Sequence, residues 1–311
     1  MRPTSFAFAV GFCASLASCS DSPTLTATVA PIVVEDGGGL PRVAFGSVAA
    51  VGGRQDVVLT QSSSMALFAD GNTVPETAIP ALHLELAVEL VERTRDASRT
   101  RFAVSSAKLD DSSLGDPSTR HMLEQELKTG SVTGLGGFLT TADGGMTRRT
   151  TSNLPDKVSS ILRNVQNQMR QSLEQNVVPM PREPIGVGAR WTTTRGFDFS
   201  GIELRELATW TLTARTESTW SVHGEFEYTA LAAAVKLPGM PDDAKLTLRE
   251  LRGKGSGDYD LDPSLPLPRS SSVQATLDLK ADAPMKDKVE PIDATITMRG
   301  VLSMREIPRK K

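Results

Sequence analysis

Leu82-His83-Leu84-Glu85-Leu86-Ala87-Val88-Glu89-Leu90-Val91 is the stretch that decides the fold. Leu82, Leu84, Leu86, Val88 and Leu90 fill five consecutive slots of a period-two pattern, with His83, Glu85 and Glu89 between them. Successive strand side chains point to opposite faces, so this spacing makes one greasy face and one wet one, whereas a helix would scatter the same residues around its axis. The segment reads as a half-buried strand. Asp96-Ala97-Ser98 then turns the chain into a second extended run, Arg101 to Leu109.

The same period governs the carboxy-terminal third. Ala208, Trp210, Leu212 and Ala214 share a face; Trp220 and Val222 begin another strand, which Phe226, Tyr228 and Ala230 continue. Leu246 and Leu248 lead into Gly253, Gly255 and Gly257, where every second side chain is missing, which marks curvature or the close approach of a bulky neighbour. Val273, Ala275, Leu277, Leu279 and Ala281 make a further strand, and Ile292, Ala294, Ile296, Met298, Gly300 and Leu302 the last. Strands with a single apolar face belong to antiparallel sheets. The expected fold is therefore mainly β within the α+β class: a curved antiparallel sheet or half-barrel with one long amphipathic helix packed on it.

That helix is expected over residues 154–175. Val158, Ile161, Leu162, Val165, Met169 and Leu173 form a stripe at helical spacing; Asn153 is placed to cap it, and Asn176 with Pro179 and Pro181 to end it. A shorter helix is expected from Ser118 to Lys128, with Met122, Leu123 and Leu127 inward.

The amino terminus carries a different message. Arg2 precedes an apolar run from Phe6 to Leu16, the order of a secretory signal and too short to span a bilayer, which takes about 20 apolar residues. The run ends in Leu16-Ala17-Ser18-Cys19, which resembles the lipobox of bacterial lipoproteins. That resemblance implies a signal peptide over residues 1–18, cleavage before Cys19 and acylation of its sulfur by lipid such as palmitate. Cysteine usage agrees. The chain has two cysteines, and Cys13 would leave with the signal, so Cys19 would have no disulfide partner. Several acyl chains at about 0.8 kcal/mol per buried methylene give stable anchoring. Ser20 after the cysteine leans, by resemblance to lipoprotein sorting, toward the outer membrane, facing the periplasm or the cell surface. Residues 19–41 are Ser/Thr/Pro-rich and then Gly-rich, and read as a lipidated flexible tether, within which Ile32-Val33-Val34 could add an edge strand. Residues 42–311 are expected to form a single antiparallel β domain.

Pro181-Arg182-Glu183-Pro184-Ile185-Gly186-Val187-Gly188-Ala189-Arg190-Trp191 follows the helix. This P-x-x-P-[IV]-G-V-G-x-x-W run, with alternating strands after it, resembles a family of uncharacterised bacterial lipoproteins. At the level of fold, a curved sheet with a helix in its concave side is similar to the half-barrel of periplasmic lipoprotein and lipid carriers.

Chemistry is harder to find. His83, His121 and His223 are isolated, with no metal-binding spacing, and read as surface residues. Asp258, Asp260 and Asp262 open like a calcium loop, but Pro263 stands where its glycine belongs and Arg269 where its bidentate Glu belongs. Gly253-Lys254-Gly255-Ser256-Gly257 has its serine in the wrong slot for a nucleophile elbow. No catalytic residue, metal site or cofactor is expected beyond the covalent lipid on Cys19, and the chain is not read as an enzyme. A net charge of −3 without a basic block longer than Arg309-Lys310-Lys311 leaves no footprint for nucleic acid. The expected partners are a membrane, through the anchor, and an apolar ligand or an envelope protein. For an apolar ligand, Val158, Ile161, Leu162, Val165 and Met169 of the helix, with Trp191 and Trp210, are the candidate contacts. The competing expectation is that these residues fill a solid core in a structural or protein-interaction module.

Overall fold

The computed structural model describes residues 31–69, 72–110, 120–121, 124–125, 127–128, 132–142, 147–152, 160–199, 202–230, 234–235, 246–284 and 289–304. The signal peptide and Cys19 lie outside them, as does the start of the tether. Thirteen strands form one sheet: β1 Val33–Asp36, β2 Arg54–Ala69, β3 Asn72–Arg93, β4 Ala97–Leu109, β5 Gly136–Ala142, β6 Thr147–Ser152, β7 Arg190–Phe199, β8 Ile202–Arg215, β9 Trp220–Ala230, β10 Ala234–Val235, β11 Leu246–Leu261, β12 Ser270–Pro284 and β13 Val289–Met304. A helix, α1, covers Ser160–Gln175 between β6 and β7.

The strand order is β1-β7-β8-β9-β11-β12-β13-β2-β3-β4-β5-β6, with β10 beside β11, and the pairings are antiparallel. The last strand pairs with the first long one, Met304 opposite Val57 through Ile292 opposite Ala69, which joins the amino-terminal and carboxy-terminal halves of the chain. Among the described residues the sheet does not close; β1 and β6 are its two edges.

Hydrogen bonds from α1 and the residue after it reveal the curl. Gln166 Nε2 donates to the Gly136 carbonyl of β5, Gln61 Nε2 of β2 to Ser172 Oγ, Ser271 Oγ of β12 to Asn176 Oδ1, Tyr259 Oη of β11 to the Gln175 carbonyl, and Arg195 Nη1 of β7 to the Glu174 carbonyl. Strands lie about 4.8 Å apart, so β7 and β5 would be several tens of ångströms apart in a flat sheet. They reach one helix only because the sheet wraps around it.

Alternation dictates which face wraps inward. Buried positions run with period two along β8 (Ile202, Leu204, Glu206, Ala208, Trp210, Leu212), β9 (Trp220, Val222, Phe226, Tyr228) and β3 (Leu82, Leu84, Leu86, Val88, Leu90). They gather in two cores. One lies under β7 to β13 and centres on Trp191, Trp210 and Tyr228; the other lies under β2 to β5, where Met169 and Leu173 of α1 pack. The glycine run of β11 answers the bulky-neighbour expectation. A Cβ on Gly257 would lie 2.9 Å from the Tyr259 ring, and one on Gly253 2.3 Å from Leu277 Cδ2.

Two expectations need correction. A long amphipathic helix over 154–175 is not what the chain shows: α1 has 16 residues, and its described buried positions include Gln166 and Ser172 beside Met169 and Leu173. The inward face is mixed because the helix sits inside the sheet and bonds to it on several sides, where a surface helix would have one dry stripe. Residues 154–159 lie outside the described residues. Secondly, the tether expected over 19–41 gives way at Val33 to β1, which pairs with β7 as the edge strand allowed for at Ile32-Val33-Val34. There the peptide Leu40-Pro41 is cis, and Gly38, at φ +73°, approaches the Gly186 carbonyl so closely that a Cβ would lie 2.3 Å from it. Gly186 of the proline-glycine run, where a Cβ would run into the Gly39 backbone, thus admits the incoming chain, while Gly188, at φ +87°, turns the chain into β7. In the shorter expected helix, the described residues Arg120, His121, Glu124, Gln125, Leu127 and Lys128 are helical; Met122 and Leu123 lie outside the described residues.

Candidate functional site

Among the described residues two features stand out against the apolar interior. The first is a polar seam at the carboxy-terminal end of α1. Arg195 and Glu206 face each other across β7 and β8, and the guanidinium grips the carboxylate with both forks, Nε to Oε1 at 2.6 Å and Nη2 to Oε2 at 2.9 Å. Glu206 is 2% exposed. A bidentate Arg–carboxylate pair is the form of ion pair that best offsets the cost of burying charge. Burial alone would loosen the Arg195 proton, but the Glu206 carboxylate and its hydrogen bond outweigh this and hold the guanidinium more firmly protonated than usual. Burial, reinforced by the Glu206 charge, pushes the Tyr228 and Tyr259 hydroxyls well above the ordinary phenol range. Arg195 also bonds to the Glu174 carbonyl at 3.0 Å and Tyr259 to the Gln175 carbonyl at 3.1 Å, so the seam ties down the carbonyl end of the helix. A cation there also complements the helix dipole.

The second feature is a cleft of about 340 Å³ at the rim where β3 and β11 end and β4 begins. Its walls include Phe45, Leu90, Leu139, Val177, Val178, Met180, Leu265 and Leu267, with Arg93, Arg182 and Asp262 among the polar lining groups. Val178 and Met180 come from the proline-rich exit of α1, so the segment that anchors the helix also lines the cleft. Trp191 Nε1 donates to the Pro179 carbonyl at 2.7 Å and fixes that exit.

The sequence-derived ligand contacts fall elsewhere. Met169, Trp191 and Trp210 are buried in the two cores at 0–3% exposure and do not line the cleft. Val158 lies outside the described residues, as do the side chains of Ile161, Leu162 and Val165. The seam was missed, although its signal was present: Glu206 occupies an inward slot between Leu204 and Ala208. The histidines are bound locally. His83 Nδ1 meets Thr60 Oγ1 at 2.8 Å, and His223 Nδ1 meets Asp258 Oδ1 at 2.7 Å. The three aspartates of the calcium-like spacing do not converge. Asp258 takes His223, Asp260 takes Ser221 and Ser270, and Asp262 takes Ser264. Among the described residues no group of three metal-ligating side chains forms, and no helix is long and apolar enough to cross a membrane.

The outward slots are wet. Glu225, Glu227 and Thr229 on β9, Arg252, Lys254, Asp258 and Asp260 on β11, and Gln274, Thr276, Asp278 and Lys280 on β12 are all exposed.

No protein-family model matches the chain, and no curated protein matches it in sequence. Among solved structures it is similar to the outer membrane protein OprG from Pseudomonas aeruginosa, at 7% identity over 85% of this chain and 100% of that one, with a TM-score of 0.22. A mutant Rh. blastica porin shows 9% identity over 81% of this chain and 100% of its own, with a TM-score of 0.18. The Pseudomonas putida toluene transporter TodX shows 7% identity over 87% and 96%, with a TM-score of 0.17. At such scores the likeness supports no statement about this chain. Side-chain phase sets this sheet apart from a membrane-spanning barrel, whose outward slots form an apolar band.

Proposed function

We propose that this chain is an exported bacterial lipoprotein, acylated on Cys19 and held at the outer membrane, whose curled sheet is a water-facing shell around an apolar interior that binds an apolar ligand without catalysing a reaction. The observation that supports this most is the direction of the alternation: charged slots out, greasy slots in, and a cleft of about 340 Å³ opening on that interior. Ligand pockets run from about 300 to 1,000 Å³, so the cleft suits a slender molecule such as a single acyl chain. In this reading α1 is the plug, tied by the Arg195–Glu206 seam, and its exit through Val178 and Met180 is one wall of the ligand site.

A second reading, a structural or protein-interaction module with a solid core, is favoured by the dense packing around Trp191, Tyr228 and Leu204, each less than 2% exposed. A fluorescent fatty acid titrated into the mature chain separates the two. The ligand reading expects saturable binding of one probe per chain, weakened at least about tenfold by Ala97→Trp, which fills the cleft without entering either core. Absence of saturable binding, or binding indifferent to Ala97→Trp, supports the solid core.

A further inference from the structure

Nine large apolar side chains are exposed among the described residues, and six of them lie on one strap or on the segments bonded to it. Leu40 (88% exposed), Val43, Val48 (70%) and Val51 (60%) lie on the strap of residues 37–53; Val33 and Val187 flank it, Val187 through the bond from the Gly39 amide to its carbonyl. Apolar surface residues scattered singly are ordinary, but a run along one rim is not. The strap crosses the end of the curled sheet. It leaves β1, pairs Val43 with Ile185, stacks Phe45 edge-on to Trp220, hangs Val48 and Ala49 on the Pro263 carbonyl, and reaches Leu90 at the end of β3. Nearly every link uses backbone or Phe45, so the aliphatic side chains are left facing water. The cleft opens on the same rim, for Phe45, Gly46 and Ser47 of the strap are part of its wall.

Charge agrees with the patch. Residues 37–53 and 181–190 together hold Arg42, Arg182 and Arg190 against a single carboxylate, Glu183, while Arg54 just beyond the strap pairs with Glu89 at 3.8 Å. Neighbouring turns are close to balance: Glu92 and Asp96 offset Arg93 and Arg95, and Glu217 offsets Arg215. Of the two acids just before the strap, Asp36 is turned onto the Gly38 amide at 2.9 Å. Aliphatic side chains with arginine among them are the chemistry of a bilayer interface, where the first enter the acyl boundary and the second meet phosphate.

We propose that the strap is a membrane-docking surface that rests on a phospholipid bilayer, preferring anionic headgroups, and turns the mouth of the cleft toward the lipid. Thirteen peptide steps lead from Cys19 to Ile32, at most about 45 Å at 3.3–3.6 Å per residue, so an acylated Cys19 would hold the strap within reach of the same membrane and raise its effective concentration there. The surface itself does not depend on acylation.

The test therefore removes the thiol. The mature chain carrying Cys19→Ser has no cysteine, which allows single environment-sensitive labels at Val51→Cys and, on the outward face of β8, at Leu207→Cys. With phosphatidylglycerol-containing vesicles, the label at position 51 is expected to shift to the blue and the label at 207 to stay as in water. Sedimentation with the vesicles is expected to fall at least about tenfold in the triple variant Leu40→Asp, Val48→Asp, Val51→Asp, with an unchanged thermal melt, and to be several-fold weaker on pure phosphatidylcholine. A label at 51 that stays in water at saturating lipid, a label at 207 that shifts as much, or a triple variant that binds like its parent would overturn the proposal. None of these outcomes bears on acylation of Cys19 or on binding in the cleft.

Discussion

Glu206 sits in the inward phase of β8 with Leu204 and Ala208 on either side, and Arg195, with the Tyr228 hydroxyl, makes that position tolerable. Removing one partner of such a pair leaves the other charge buried and uncompensated, which costs about 3–5 kcal/mol. Glu206→Gln is expected near the lower end, because Arg195 keeps 21% of its side chain in solvent, while the double replacement Arg195→Met, Glu206→Leu should recover most of the loss. Urea melts of the three variants check this. The tyrosines give an independent reading. Tyr228 and Tyr259 are the only two in the chain, and both are held neutral above the ordinary phenol range. In the unfolded chain they lose their protons near pH 10, so above about pH 10 the unfolded state binds fewer protons than the folded one and stability falls as pH rises. Tyrosinate absorbance is expected to appear together with unfolding rather than before it. A titration of either phenol near pH 10 in the folded protein would contradict the burial. At this scale the sequence was half legible. The charge in an apolar slot was visible, but its partner was not, since the register that sets Arg195 opposite Glu206 is a product of the fold.

Among the elements, strands with strict alternation were the most legible, and Arg101 to Leu109, the glycine run of β11 and the edge at Val33 were also in view. β3, β8, β9, β12 and β13 announce themselves because each buries one face. β2 hides, since Gln61-Ser62-Ser63-Ser64 interrupts its pattern and its neighbours β13 and β3 supply the order. The helix was placed but overdrawn. Its apolar stripe is real in sequence, yet enclosure by the sheet recruits Gln166 and Ser172 to the buried side. The glycines of β11 make the element scale testable. Gly253→Ala would set a Cβ 2.3 Å from Leu277 Cδ2 and 2.7 Å from the Thr276 carbonyl, whereas nothing lies within 4 Å of a Cβ on Gly300 in β13. Overpacking costs about 1–3 kcal/mol, so Gly253→Ala should lower stability by that amount, and Gly300→Ala should stay within about 0.5 kcal/mol of the parent. Equal melting temperatures for the two would contradict the close approach.

For the whole molecule, the features that fix the proposed role lie at opposite ends of legibility. The apolar run and Leu16-Ala17-Ser18-Cys19 can be read directly, because the proposed signal would be a local string. The curl of the sheet, the cleft and the strap across its mouth depend on contacts between distant residues such as Val48 and Pro263, and no local pattern encodes them. Together they describe a shell whose wet side faces out, whose dry side faces in, and whose opening lies close to where an acyl anchor would hold it. Native mass spectrometry of the full chain, expressed in a bacterial host and purified gently from membranes, reads that description most directly. The account predicts loss of residues 1–18, an added mass of acyl groups on Cys19, and one lipid-sized molecule per chain that leaves on collisional activation. A folded chain of bare polypeptide mass, without acyl groups and without a dissociable lipid, would contradict it.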